Sequence, residues 1–172
     1  MTSNRTFTRF SVTVDPPRID QIPEGGFCLS SFLVLSRVDA DNEILLGKLN
    51  KEAPWERIGA LDRNRAERDS DGWMLPASHL LFGESPQDAA QRILDEQLGL
   101  KTQRLEGPMI FSEMYGPKNH WDLEFVFLGK RIDPVSHSAW KELRFVDVDK
   151  LRKEDFVRSH EDILAHIGKW KG

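Results

Sequence analysis

The chemistry-bearing stretch of this chain is GESPQDAAQRILDEQLGL, residues 83 to 100, which reads as the opening of a helix with charged groups placed for metal-assisted phosphate chemistry. Ser85 is a good N-cap, Pro86 suits the first helical position, Asp88 completes a capping-box pattern and Gly99 is a natural stop. At about 100° per residue, Ala89, Ala90, Ile93, Leu94 and Leu98 form one apolar face, which must pack on a sheet. Asp88, Arg92, Asp95 and Glu96 lie on the other side.

The elements that must position this helix are legible around it. GFCLSSFLVLSR (Gly26 to Arg37) and EILLGKL (Glu43 to Leu49) flank an Asp/Asn-rich turn and predict a hairpin. A long polar stretch, NKEAPWERIGALDRNRAERDSDG, reads as a loop. Further strands are expected at Gly107 to Tyr115, His120 to Ile132 and Glu142 to Asp149. A closing helix over SHEDILAHIGKWK has Ser159 as its candidate cap and Ile163, Ile167 and Trp170 at helical spacing. Strands before, between and after two helices indicate α+β.

The 172 residues fit one domain, with residues 1–25 as an N-terminal extension, and no linker-like or repeated segment divides them. The single cysteine, Cys28, excludes an intramolecular disulfide and reads as a structural thiol. MTSNRTFTRF lacks a signal-peptide core and no apolar run approaches a membrane span of roughly 20 residues, so a soluble, cytoplasmic protein is expected. A formal net charge of −4 offers no global attraction to nucleic-acid polymers or anionic membranes. No Walker loop, zinc-ligand cluster, nucleophile triad or DNA-reading motif occurs.

The wider pattern LPASHLLFGESPQDAAQRILDEQLGL, residues 75 to 100, resembles the Nudix box of nucleoside-diphosphate-X hydrolases, G-x5-E-x7-R-E-U-x-E-E-x-G-U with U bulky and aliphatic. Glu84, Arg92, Leu94, Glu96, Gly99 and Leu100 match at the right spacing, and the strand order resembles the Nudix αβα sandwich with its mixed β-sheet. Three positions depart: Ser78 stands for the leading Gly, Ile93 for a Glu and Gln97 for the second Glu of the pair. The resemblance implies Mg²⁺ or Mn²⁺ held by carboxylates one helical turn apart. Here that trio is Ile93, Glu96 and Gln97, so metal affinity is expected to fall. Asp95 lies about 200° around the helix from Ile93 and does not replace a ligand. Gln97 reads either as a ligand or as a buried amide bonded to backbone.

On that resemblance Glu96, Glu84 and Arg92 are the catalytic candidates, and Glu96, Glu84, Gln97 and Ser78 the metal candidates. Glu113, Asp122 and Glu124 are candidate bases outside the box. His137 is a further candidate base, through a weaker resemblance to GDP-mannose glycosyl hydrolases, which attack at the sugar carbon. Arg57, Trp73, His79 and Trp121 are candidates for holding substrate, with Trp55, Trp140, Arg63, Arg65 and Arg68 as weaker ones. His160 and His166 are about 240° apart on their helix and form no metal pair. Three functions stay open: a Nudix-type hydrolase of a nucleoside diphosphate linked to another group, a non-catalytic module binding a nucleotide-like small molecule or protein partner, and a glycosyl hydrolase using a loop His. A homodimer is compatible with each.

Overall fold

The computed structural model describes residues 25–172. A six-stranded mixed sheet runs in the order β4 (Glu106–Tyr115), β5 (His120–Arg131), β1 (Phe27–Arg37), β2 (Glu43–Leu49) and β6 (Trp140–Asp147), with β3 (Ala77–His79) paired to β1. β1 runs parallel to β5 over its whole length, Phe27 opposite Trp121 through Arg37 opposite Arg131, and antiparallel to β2 and β3. The expected β1–β2 hairpin is present. The three later strands fall within two residues of their expected bounds.

Both faces of β1 are covered, which explains its unbroken apolar run Phe32 to Leu35. Because strand side chains alternate, Leu33 and Leu35 with Leu45 and Phe127 meet the helix α3 (Pro86–Leu98). Phe32, Val34, Ile44, Leu46 and Val126 face the other way, toward Ile163 and Leu164 of α4 (His160–His166). The fold is thus the α+β sandwich that the resemblance implied.

The stretch read as a loop instead folds into α1 (Trp55–Ile58) and α2 (Arg63–Arg68). Tertiary contact decides this: Trp55 is buried edge-on against Trp140 at 5.0 Å, its indole donates to Asn50 O, and Asp62 caps α2 by accepting from Arg65 N. Gly47 is required here, since a Cβ would sit 2.2 Å from the Trp140 ring. The closing helix is shorter than expected. It ends at His166, Gly168 follows with φ +70°, and Ser159 occupies the cap position at φ +56° without a side-chain capping bond. Trp170 packs on Phe156 from beyond the helix end. The proposed extension 1–25 lies, apart from Gly25, outside the described residues. No helix among the described residues is long and apolar enough to cross a membrane.

His160 ties α4 to the strand side of the core. Its Nδ1 accepts from Leu75 N at 2.9 Å, its ring meets Phe32 edge-on, and burial holds its pKa well below the usual histidine range. A depressed folded pKa contributes stability that is complete above about 6.5 and is lost as pH falls. His160→Phe is expected to cost about 1–3 kcal/mol at pH 8 by orphaning the Leu75 N–H, with the gap to wild type narrowing toward pH 5. Urea unfolding of both proteins at the two pH values checks this.

Candidate functional site

The helix α3 begins and ends as its residues dictate. Ser85 Oγ accepts from Asp88 N, Pro86 opens the first turn, and Gly99 closes the helix at φ +66°. The apolar face buries Ile93 and Leu94 completely. Asp95 points to solvent and pairs with Lys101.

Glu84 and Arg92 form a fork, with Arg92 Nε to Glu84 Oε1 at 2.8 Å and Nη2 to Oε2 at 2.9 Å. Arg92 holds the carboxyl of Glu84 below the usual carboxylate range. Glu84 Oε2 also accepts from Leu81 N, while Arg92 donates to Ser78 Oγ and to the carbonyl of His79. The fork therefore clamps the end of β3, at Ser78 and His79, and the turn after it, at Leu81, against the helix. Glu96 contributes no hydrogen bond to this network among the described residues.

Gln97 is fully buried, and its Nε2 lies 2.8 Å from both Ile58 O and Ala77 O. Two carbonyls can only accept, so the atom between them is the amide nitrogen. Its own backbone carbonyl takes the Trp140 indole N–H at 2.8 Å. One residue thereby joins α3 to α1, β3 and β6.

This arrangement does not fit a divalent cation. Ile93 is 0% exposed among Leu33, Leu35, Leu45 and Phe127, and Gln97 is a neutral amide whose Nε2 is committed to two carbonyls and whose enclosed Oε1, without a hydrogen-bond partner among the described residues, brings no charge to a cation. No group of three or more His, Cys, Asp or Glu among the described residues is arranged to hold a metal ion. Glu96 instead opens onto a surface groove of about 440 Å³ with Arg57, His137, Asn50 and Glu52. His137 Nδ1 accepts from Ala139 N at 3.2 Å, which leaves the neutral ring's proton on Nε2 and no free lone pair for a base.

The other candidates meet elsewhere. A polar cavity of about 40 Å³ lies where β1, β3, β4 and β5 face the start of α4, lined by Ser30, Ser78, His79, Asp122, Glu124 and Arg158 among others. Four enclosed polar atoms in and beside it lack a hydrogen-bond partner among the described residues: Asp122 Oδ1, Glu124 Oε2, Arg158 Nε and His166 Nδ1. Glu113 is not part of this lining and instead lies 3.0 Å from His166 Nε2. Trp121 is at the strand end against Phe27, donating to Ser112 Oγ, and Trp73 is buried beneath Lys48 and Arg144. Arg63 and Arg68 pair with Glu67 and Asp69.

Ser78, His79, Asp122 and Glu124 are separate candidates in the sequence, and the fold unites them with Ser30, Tyr115 and Arg158, which are not among the sequence candidates. Nothing in their local sequence marks them, because they converge from β1, β4 and the α4 approach. Cys28 also borders the cluster, its Sγ 3.1 Å from His120 Nε2. Since His120 Nδ1 donates to Gly25 O, the thiol donates to Nε2, and burial with nearby Asp122 pushes it up to about 12. The thiol is protonated and structural.

Burial pushes Glu124 up to about 7 despite the Tyr115 hydroxyl that donates to it at 2.8 Å, with Asp122 and Glu113 adding to the rise. Burial and Arg158 hold His79 below the usual histidine range. Burial lowers Arg158 to about 10. A raised folded carboxyl pKa contributes stability that is complete below about 4.5 and is lost as pH rises through 7. Glu124→Gln, which keeps an acceptor for Tyr115, is expected to stabilise the fold by roughly 1–3 kcal/mol at pH 8 and by little at pH 5, measured by denaturant unfolding.

Solved structures share this architecture. The Burkholderia pseudomallei MutT NUDIX hydrolase matches with a TM-score of 0.58 at 17% identity, covering 82% of this chain and 98% of that one. The Escherichia coli dihydroneopterin triphosphate pyrophosphohydrolase matches at 0.52 and 14% identity, over 70% and 80% of the two chains. The NUDIX domain of Shewanella oneidensis NrtR, solved with ADP ribose, matches at 0.57 and 12% identity, over 83% and 86%. At these identities the likeness shows the fold. Comparison with curated proteins found no match. The NUDIX domain profile matches residues 31–167, most of the chain, and with the retained Glu84, Arg92, Glu96 and Gly99 in their box positions this protein belongs to the Nudix family.

Proposed function

We propose that this Nudix-family chain binds a nucleotide-containing small molecule at the polar cavity between β5 and α4, and that it does so without a divalent cation held by the box helix. The observation that carries the second clause is the Gln97 amide, which donates to the carbonyls of Ala77 and Ile58 while Ile93 fills the apolar core. The first clause is supported by the enclosed, unpartnered atoms of Asp122, Glu124 and Arg158, since a buried polar group without a partner is costly and a polar guest removes that cost. The ADP ribose in the Shewanella oneidensis NrtR domain supports a ligand of this class on this fold.

A hydrolytic reading has its own support. Glu124, poised near 7 in a cavity beside Asp122 and His79, has the environment of an acid–base group. The glycosyl hydrolase reading loses support, because the His137 nitrogen that would accept a proton is taken by Ala139 N.

Calorimetric titration with ADP ribose, nucleoside diphosphates, nucleotide sugars and dinucleoside polyphosphates, with and without a chelator, tests the proposal. Equal affinity in both conditions is expected. Binding that requires Mg²⁺ would overturn the metal-free clause, and no binding to any panel member would overturn the ligand class. The amide makes a separate prediction. Gln97→Glu places a carboxylate against two carbonyl oxygens and is expected to destabilise the fold by about 2–4 kcal/mol at neutral pH, with recovery at acid pH or on adding Mn²⁺. Thermal melts across pH and Mn²⁺ concentration check it.

A further inference from the structure

Three side chains from three strands form one hydrogen-bond chain at the cavity. Ser30 Oγ donates to Asp122 Oδ2 at 3.1 Å and lies 3.0 Å from His79 Nδ1. A serine hydroxyl carries a single proton, and a carboxylate oxygen only accepts. The Ser30 proton is therefore committed to Asp122, so His79 Nδ1 carries the ring proton and donates to Ser30. The neutral imidazole keeps its lone pair on Nε2, which has no hydrogen-bond partner among the described residues. Asp122 and Ser30 are both more than nine-tenths buried, so this hydrogen bond is largely shielded from competition by bulk water. At the other end, Arg92 Nη2 and Ser78 Oγ both donate to the His79 carbonyl, at 3.0 and 3.1 Å, so the Glu84–Arg92 fork fixes the backbone beneath the ring.

Resting on the ligand-binding reading above, we propose that the chain catalyses metal-independent hydrolysis at this cavity, with His79 Nε2 as the proton acceptor for the attacking water and Ser30 and Asp122 as positioning residues that set its tautomer. The substrate class is a nucleotide carrying a diphosphate bridge. The water oxygen bonds to phosphorus while one water proton passes to His79 Nε2. The bridging P–O bond breaks, and its electron pair leaves on the departing phosphate. That oxyanion requires no proton, and the Arg158 guanidinium, whose Nε is enclosed and unpartnered among the described residues, lines the same cavity. The imidazolium then donates through Nδ1 to Ser30 and returns its Nε2 proton to solvent. Burial favours the protonated form of Glu124 up to about 7, which lessens repulsion of the phosphate. The cavity, about 40 Å³, suits one attacking water and the oxygens of one phosphoryl group, with the rest of the nucleotide outside its mouth.

The test uses the full chain in the presence of a chelator, with ADP ribose, nucleotide sugars and dinucleoside polyphosphates as probes. Turnover by wild type is expected. His79→Gln is expected to lower kcat roughly a hundredfold with KM changed little, and Ser30→Ala to lower it about tenfold. Ser30→Thr, which keeps the hydroxyl, is expected to restore most of that loss. Nitrogen NMR of imidazole-labelled protein reads the tautomer directly: Nδ1–H for His79 in wild type and in Ser30→Thr, Nε2–H in Ser30→Ala. A merely structural relay would lower the melting temperature in these variants without moving either the tautomer or kcat. Unchanged kcat in a folded His79→Gln protein, an Nε2–H tautomer in wild type, or turnover abolished by the chelator would each overturn the inference. Tight binding of a probe without turnover would overturn it while leaving the ligand-binding reading intact, and absence of binding would overturn both.

Discussion

The carboxamide of Gln97 is the contact on which the rest of the site depends. Its nitrogen stands between the carbonyls of Ala77 and Ile58, and its backbone oxygen takes the Trp140 indole. Those bonds connect the box helix to β3, to α1 and to β6, at a point with no access to water. A buried carbonyl without a donor costs about 1–3 kcal/mol, so two carbonyls facing each other demand either a cation or a donor. An amide supplies the donor covalently. The junction is therefore assembled by hydrogen bonds within the chain.

With the helix fixed, the retained charges of the box acquire a different purpose. The Glu84–Arg92 fork reaches across to Ser78 Oγ and the His79 carbonyl and fixes the end of β3 and the turn after it. Both side chains are largely shielded, Arg92 at 14% and Glu84 at 11% exposure, so the pair is far less screened than a surface ion pair. The geometry that places an imidazole beside Ser30 thus begins with an ion pair one layer away.

The cavity concentrates groups whose charges the interior resists. Asp122, Glu124, His79, His160 and Arg158 lie together where the sheet meets α4, and burial raises Glu124 while lowering His79, His160 and Arg158. Each shift favours the neutral form. A core built for stability alone would be apolar here, as it is on the α3 side, where Leu33, Leu35 and Phe127 meet Ile93. Enclosed polar atoms without protein partners are costly unless water or a guest completes their hydrogen bonding.

Local rules account for what the sequence determined by itself. Ser85, Pro86, Asp88 and Gly99 define the box helix because caps and stops act within one turn, and two apolar runs around an Asp/Asn-rich turn define the β1–β2 hairpin because that turn chemistry is local. The loss of carboxylates at Ile93 and Gln97 was equally plain, being a matter of residue type at a known spacing. The two short helices between β2 and β3 were not, since Trp55 is held by Trp140, 85 positions away, and no periodicity announces a helix of four residues. The same limit applies to the cavity. Ser30, His79 and Asp122 come from β1, β3 and β5, and only strand register sets Ser30 opposite His79 and Cys28 opposite Asp122. Which nitrogen of His79 bears the proton follows from a hydroxyl 49 residues away and a carboxylate beyond it, a tautomer that tertiary contact alone decides.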